Sequence, residues 1–323
     1  MKLIWKEVLL AALMGLVLPG AVLGIAASTD VPDTVIEITT AAPTQPTEAA
    51  KVEMKVPILA GDTIAQMELD TYLTGVVLAE MPASFEEEAL KAQAVVARTY
   101  TMRAQNRGGR HDGAAVCTDS TCCQAYISPE NYLAAGGTQE SVDKIQNAVI
   151  ATSGQVLTYG GELIEATYFS CSGGTTEDAA AVWGAEYPYL KSVSSPGEEH
   201  ATHYTDTVVF SASQFEAALG RELSGTPASW FGVTTYTTGG GVASMEIGGK
   251  TYQGTQLRSL LGLRSTAFMV SADLNSVTIT TKGFGHRVGM SQYGADAMAV
   301  LGSSYAEILA HYYQGTSLDT LEN

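Results

Sequence analysis

Positive charge is what this chain has least of. Lys and Arg number 17 against 34 Asp and Glu, a formal net charge of −17 over 323 residues. Nucleic-acid binding rests on Lys and Arg neutralising phosphates, so the balance argues against it. It argues equally against adhesion to anionic lipid through a basic patch. An acidic surface suits a neutral substrate, or one met at close range. Charged residues of both signs make up only 16% and hydrophobic ones 46%, which supplies a sizeable core and leaves disorder to local segments. No Gly-x-Ser-x-Gly elbow surrounds Ser170, so the setting of a serine hydrolase is missing. Gly283-Phe284-Gly285-His286-Arg287-Val288 lacks the third glycine and the βαβ context of a dinucleotide fingerprint. There is no internal repeat. Strands and helices follow no regular βα alternation, which points to α+β rather than a doubly wound sheet.

The N-terminus carries the clearest local signal. Lys2 and Lys6 precede an apolar stretch from Val8 to Ala27, broken only by glycine and Pro19. Its length of about twenty residues is enough to span a bilayer. Residues 1–27 therefore read as a membrane anchor, with the positive flank cytoplasmic and the rest of the chain outside, or as a signal segment cleaved near Ala26-Ala27-Ser28. Residues 28–55 are rich in Thr and Pro and form an extended tether. The folded region spans 56–320. Within it, Ser84-Phe85-Glu86-Glu87 has the form of a capping box opening a helix that runs through Tyr100. Residues 141–153 read as a helix. Residues 155–159 and 163–169 read as paired strands around Gly160-Gly161. Residues 205–281 form a strand-rich insertion or small subdomain with short helices at 214–219 and 255–260. A strand at 277–281 and a helix over 291–301 complete the pattern.

Three blocks of residues belong together. Ala79-Glu80-Met81-Pro82, followed by Ala89-Leu90-Lys91-Ala92-Gln93-Ala94 and Ala97-Arg98-Thr99-Tyr100, is the first. Ser170-Cys171-Ser172-Gly173-Gly174-Thr175 is the second, and Gly283-Phe284-Gly285-His286-Arg287-Val288-Gly289-Met290-Ser291-Gln292-Tyr293-Gly294-Ala295 the third. In this order, over most of the chain beyond the tether, they resemble the stage II sporulation protein D family. The resemblance implies a lytic transglycosylase that cleaves MurNAc-GlcNAc bonds of peptidoglycan during spore engulfment, on strands already stripped of stem peptides. It also implies a stage II sporulation protein P-like amidase as partner. The alternative within the same family is a non-catalytic module that enhances a cell-wall amidase.

The resemblance places the catalytic acid at Glu80. The chemistry agrees, because protonating a glycosidic oxygen near neutral pH needs a carboxyl with a raised pKa, which apolar surroundings supply. No second carboxylate motif stands out. A transglycosylase does not need one, since a single Glu can protonate the leaving oxygen and then accept the proton of the sugar's own 6-hydroxyl. Arg98, Tyr189 and Lys191 match family positions for substrate binding or support. Tyr168, Ser170, His286 and Gln292 are further candidates for the cleft, each with an ordinary structural role as its alternative. Arg287 stands where the family often has glycine, which leaves its backbone conformation open.

Four cysteines remain. His111, Cys117, Cys122 and Cys123 lie in one loop as His-x5-Cys-x4-Cys-Cys, a donor set that suits tetrahedral Zn2+ in a structural, closed site. Some clostridial relatives bind zinc in this loop, which implies the same ligands here, with Cys122 as the fourth. Disulfides among these cysteines and Cys171 are the alternative in an oxidising compartment. A metallohydrolase would need an open zinc position and is the third functional reading.

Overall fold

A computed structural model describes residues 54–321, so the apolar segment 1–27 and the tether as far as residue 53 lie outside the described residues. Among the described residues no helix is long and apolar enough to cross a membrane.

The fold is α+β. Strands β1 (Lys55–Ala60) and β2 (Thr63–Glu68) form an antiparallel hairpin, and β3 (Val116–Cys117) adds parallel to β1, tying the cysteine loop to this sheet. Helix α1 (Leu69–Glu80) follows, its first turn capped by the Glu68 carboxylate accepting from the Thr71 amide. Pro82 ends it. A residue before proline is driven out of helical space, and Met81 is extended at φ −127°, ψ 139°. Glu80 is thereby left as the last helical residue.

Helix α2 (Glu87–Asn106) lies at the centre of the main core. Ala89, Ala92, Ala94, Val95, Val96 and Ala97 are fully buried. It touches α1 and the helices Gln139–Ala151, Gln292–Val300 and Tyr305–Tyr312. The small side chains let neighbours close in from every side. The expected capping box at Ser84 does not form: Ala83-Ser84 is a turn and the helix starts three residues later. Tertiary contacts override the local signal. Phe85 is buried and packs edge-on against Tyr293, while Asp296 accepts from the Glu86 amide at 2.7 Å and does the capping.

A second correction concerns residues 163–169, which are not one strand. Glu162–Leu163 pairs antiparallel with Gln155–Tyr159, whereas Tyr168–Phe169 pairs parallel with Met290–Ser291. The chain leaves one sheet and enters another, and this brings the second and third motif blocks side by side. Cys171 and Phe284 exchange backbone hydrogen bonds in the same seam.

Residues 205–281 carry two three-stranded antiparallel sheets and helices at Ala212–Leu219 and Gly254–Leu260. They bury a cluster of their own, with Phe215, Trp230, Ile247, Tyr252, Leu257, Val277 and Ile279 at its centre. Arg287 fastens this insertion to the main body. It is the one described non-glycine residue with positive φ, 67°, a conformation that costs about 1–2 kcal/mol. Its buried guanidinium donates to the carbonyls of Ser172 (2.7 Å), Thr175 (2.6 Å) and Gly239 (2.7 Å), and pairs with Glu177 at 3.2 Å. Hydrogen bonds from a charged group each contribute about 1.5–3 kcal/mol, enough to offset the strain.

Candidate active site and an adjacent cysteine-histidine cluster

Glu80 sits half-buried at the C-terminal end of α1 and lines a cleft of about 700 Å3, within the usual range for a ligand site. Three donors from three distant segments reach its carboxyl. The Ala125 amide donates to Oε1 at 2.8 Å, the Tyr168 hydroxyl to Oε1 at 3.1 Å, and the Gln292 amide nitrogen to Oε2 at 3.4 Å. Burial raises its pKa, and these three hydrogen bonds only partly oppose the rise. The helix end acts in the same direction as burial, since the free carbonyls there disfavour an anion. Tyr168 itself stays a phenol, its pKa pushed well up by burial and then by the Glu80 charge, so it remains a donor.

The Ala125 amide is placed by a close approach. Gly75, midway along α1, faces Tyr126, and a Cβ there would come within 2.3 Å of the Tyr126 ring and 2.8 Å of the Ile127 carbonyl. The Ile127 amide donates to the Gly75 carbonyl at 3.1 Å. The absent side chain thus lets the segment after the cysteines lie flat on the helix. Gln124, buried, fixes it from the other side by donating to Tyr72 and Thr101, with its Oε1 3.3 Å from the Tyr168 hydroxyl.

The remaining cleft is aromatic and mostly uncharged. Tyr100, Phe169, Trp183, Tyr187 and Phe284 line it with Ser170 and His286. His286 stands between the Phe169 and Trp183 rings, at 5.7 and 5.3 Å. Burial, reinforced by Arg258, depresses its pKa to about 4. It is neutral near pH 7 and accepts from the Val288 amide.

Of the residues expected from the sequence, Glu80, Tyr168, Ser170, His286 and Gln292 meet in this cleft. Three substrate-binding expectations are corrected. Arg98 is fully buried, off the cleft lining and against the end of α1 opposite to Glu80. It pairs with Asp70 at 3.2 Å and donates to the carbonyls of Val149, Thr152 and Gln155, so it cannot reach a glycan. It clamps α1 and α2 to the end of helix Gln139–Ala151. Tyr189 is buried beside Tyr159, its hydroxyl accepting from the Glu165 amide. Residues 187–190 form a turn closed by the Leu190 amide on the Tyr187 carbonyl, and only Tyr187 lines the cleft. Lys191 pairs with Asp178 at 3.2 Å, away from the cleft lining.

Sequence reading missed Ala125, Tyr100, Arg110, Glu165, Trp183 and Tyr187. A backbone amide leaves no mark in a sequence; Tyr100 closes the first motif block without a sign that its side chain reaches the cleft, and Arg110, Glu165, Trp183 and Tyr187 lie outside the three blocks. Glu165 is a second carboxylate on the cleft, ion-paired to Arg103.

Cys122 and Cys123 line the same cleft. Ligand atoms of His111, Cys117, Cys122 and Cys123 all lie within 4.8 Å of one another. His111 Nε2 is 3.6 Å from Cys122 Sγ and 3.5 Å from Cys123 Sγ, and the two sulfurs are 3.9 Å apart. Tetrahedral Zn2+ with ordinary bond lengths separates nitrogen from sulfur by about 3.6 Å and two sulfurs by about 3.8 Å. The donor set fits a metal ion, and all four cysteines are free thiols.

Comparison with known proteins agrees with the geometry. A family model described as "Stage II sporulation protein" matches residues 60–159. Stage II sporulation protein D of Bacillus subtilis (strain 168) is 40% identical over 275 residues, covering 84% of this chain and 80% of the relative. The protein of the same name from Bacillus amyloliquefaciens is 41% identical over 265 residues, 81% of this chain and 77% of its own. A Bacillus subtilis protein named "Amidase enhancer" is 30% identical over 305 residues, 76% of this chain and 40% of its own. With Glu80 and Gln292 drawn from two separate motif blocks to one point, Tyr168 joining them from just ahead of the second block, and identity of this extent, the chain belongs to the stage II sporulation protein D family.

Proposed function

We propose that the chain is a peptidoglycan lytic transglycosylase that cleaves MurNAc-GlcNAc bonds of peptide-stripped strands in sporulation. The observation that carries this reading is the carboxyl of Glu80, raised in pKa by burial and held by three donors in an aromatic cleft. Neutral glycan rings stack on such side chains. In the reaction the protonated Glu80 gives its proton to the glycosidic oxygen as the bond from C1 of muramic acid to that oxygen breaks. The 6-hydroxyl oxygen then bonds to C1, and its proton passes to the Glu80 carboxylate. The carboxyl is regenerated, no water is consumed, and the strand ends in a 1,6-anhydro ring. The Ala125, Tyr168 and Gln292 donors keep the carboxyl oriented through both protonation states.

Residues His111, Cys117, Cys122 and Cys123 would hold Zn2+. With four protein ligands no position is left for water, so the ion would cross-link the loop that presents the Ala125 amide. Residues 1–27 would tether the domain to the outer face of the cell membrane, within reach of an amidase of the stage II sporulation protein P kind.

Mass spectrometry of products from peptide-free strands, with the full chain and Glu80→Gln, tests the reading. We expect 1,6-anhydromuramic ends that disappear in the variant. Reducing ends instead would mean hydrolysis and shift attention to Glu165 as the base. Glycan binding without products from either protein would favour the amidase-enhancing module, a reading supported by the 30% identical relative.

A further inference from the structure

Among the described residues that line the cleft, Arg110 is the one with a fixed positive charge. Elsewhere among the described residues Arg98 pairs with Asp70, Arg103 with Glu165, Lys191 with Asp178 and Arg287 with Glu177, while Arg258, which acts on His286 from outside the cleft lining, donates to the Leu263 carbonyl. Among the described residues no carboxylate lies in ion-pair range of Arg110. Its guanidinium instead rests over the Tyr100 ring, 5.5 Å from the centroid. Its backbone amide is tied to the Ala115 carbonyl at 2.9 Å. A guanidinium held on an aromatic face keeps its N–H fork free for a planar anion. Such a group is unexpected in a protein of net charge −17, in a cleft that also carries Glu80 and Glu165.

A peptide-stripped glycan strand offers one kind of anion. When an amidase hydrolyses the bond between the lactyl group of muramic acid and the stem peptide, it converts a neutral amide into a carboxylate. The N-acetyl groups and hydroxyls of the strand stay neutral. We propose that Arg110 binds this free lactyl carboxylate through its N–H fork and so makes the enzyme select strands an amidase has already processed. The inference rests on the transglycosylase reading and deepens it. The acid is not disturbed by the arrangement: burial dominates the raised pKa of Glu80, and no cationic side chain lowers it. Arg110 therefore serves a sugar beside the scissile bond, as a specificity residue.

The test compares three strand preparations: lactyl carboxylates free, the same carboxylates converted to primary carboxamides, and stem peptides intact. For the full chain, Arg110→Gln, Arg110→Lys and the charge-matched control Lys250→Gln, kcat/KM is measured on each. Affinities are measured in a Glu80→Gln background, and circular dichroism and zinc content confirm that the loop is intact. The wild-type chain should favour carboxylate over carboxamide strands by about tenfold or more, the scale of a charge-assisted contact. Arg110→Gln should erase that preference through a loss on carboxylate strands alone, Arg110→Lys should recover part of it, and Lys250→Gln should keep it. Equal wild-type rates on carboxylate and carboxamide strands would overturn the proposal. So would a preference that survives Arg110→Gln, or intact strands used as well as stripped ones. If no strand is cut but affinities still show the preference and its loss, the transglycosylase reading falls and the assignment of Arg110 stands. Cleavage without preference would do the opposite, keeping the transglycosylase and removing Arg110 from its substrate selection.

Discussion

As the proposed acid, Glu80 faces two opposing demands, to hold a proton near neutral pH and to be stable as an anion after giving it up. Burial meets the first, and the donors from Ala125, Tyr168 and Gln292 meet the second. Tyr168→Phe removes one donor without opening the cleft. The pKa of Glu80 should then rise, moving the alkaline limb of the pH–rate profile to higher pH, with kcat lowered about tenfold. Stability carries the same information with its own sign. A carboxyl whose folded pKa is raised stabilises the fold below its unfolded pKa, and that contribution is lost as pH rises through the folded value. Glu80→Gln cannot titrate, so its Tm relative to wild type should climb as the pH goes from 4 to 8. A constant difference in Tm across that range would refute the burial argument.

At the scale of elements, tertiary contacts decided what local patterns could not. Ser84 looks like an N-cap, yet the α2 start is capped by Asp296 from the far end of the chain. Ser84→Ala should therefore change stability by less than about 0.5 kcal/mol, while Asp296→Ala costs about 1 kcal/mol, both read by urea denaturation. Gly75→Ala keeps α1 helical and should still displace Tyr126 and with it the Ala125 amide. Activity would fall while the acid remains in place, and Ala125 amide exchange would speed up. The sequence pattern located the helices at 139–151, 212–219, 254–260 and 292–300 within a few residues, because their caps and apolar faces are local. It named seven of the residues around the cleft, five as parts of the glycan site and Cys122 and Cys123 as metal ligands. Arg98 misled because a motif does not separate residues that touch substrate from those that support the site. A partial signal was present nonetheless: Arg98 directly follows the small apolar run at 94–97, which is buried, and a charged residue in that stretch is expected to be buried and paired. For Trp183 no such signal exists; Tyr187 stands in the family-like segment 187–191, from which the pattern singled out Tyr189 and Lys191 instead.

For the whole molecule, the metal loop and the cleft share a wall, so occupancy of one should be felt as stability of the other. The purified chain should hold about one equivalent of zinc by mass spectrometry of metals. Chelation, or Cys123→Ser, should lower Tm by roughly 4–10 °C. Metal-free protein with an unchanged Tm would leave the four ligands without a structural role.

The donors to Glu80 are 45, 88 and 212 residues away along the chain. A growing polypeptide presents Glu80 before any of these three donors, and Gln292 last of them. Until these segments meet, Glu80 lacks the burial that raises its pKa. The cutting activity proposed for this fold would therefore belong only to chains whose cleft has closed.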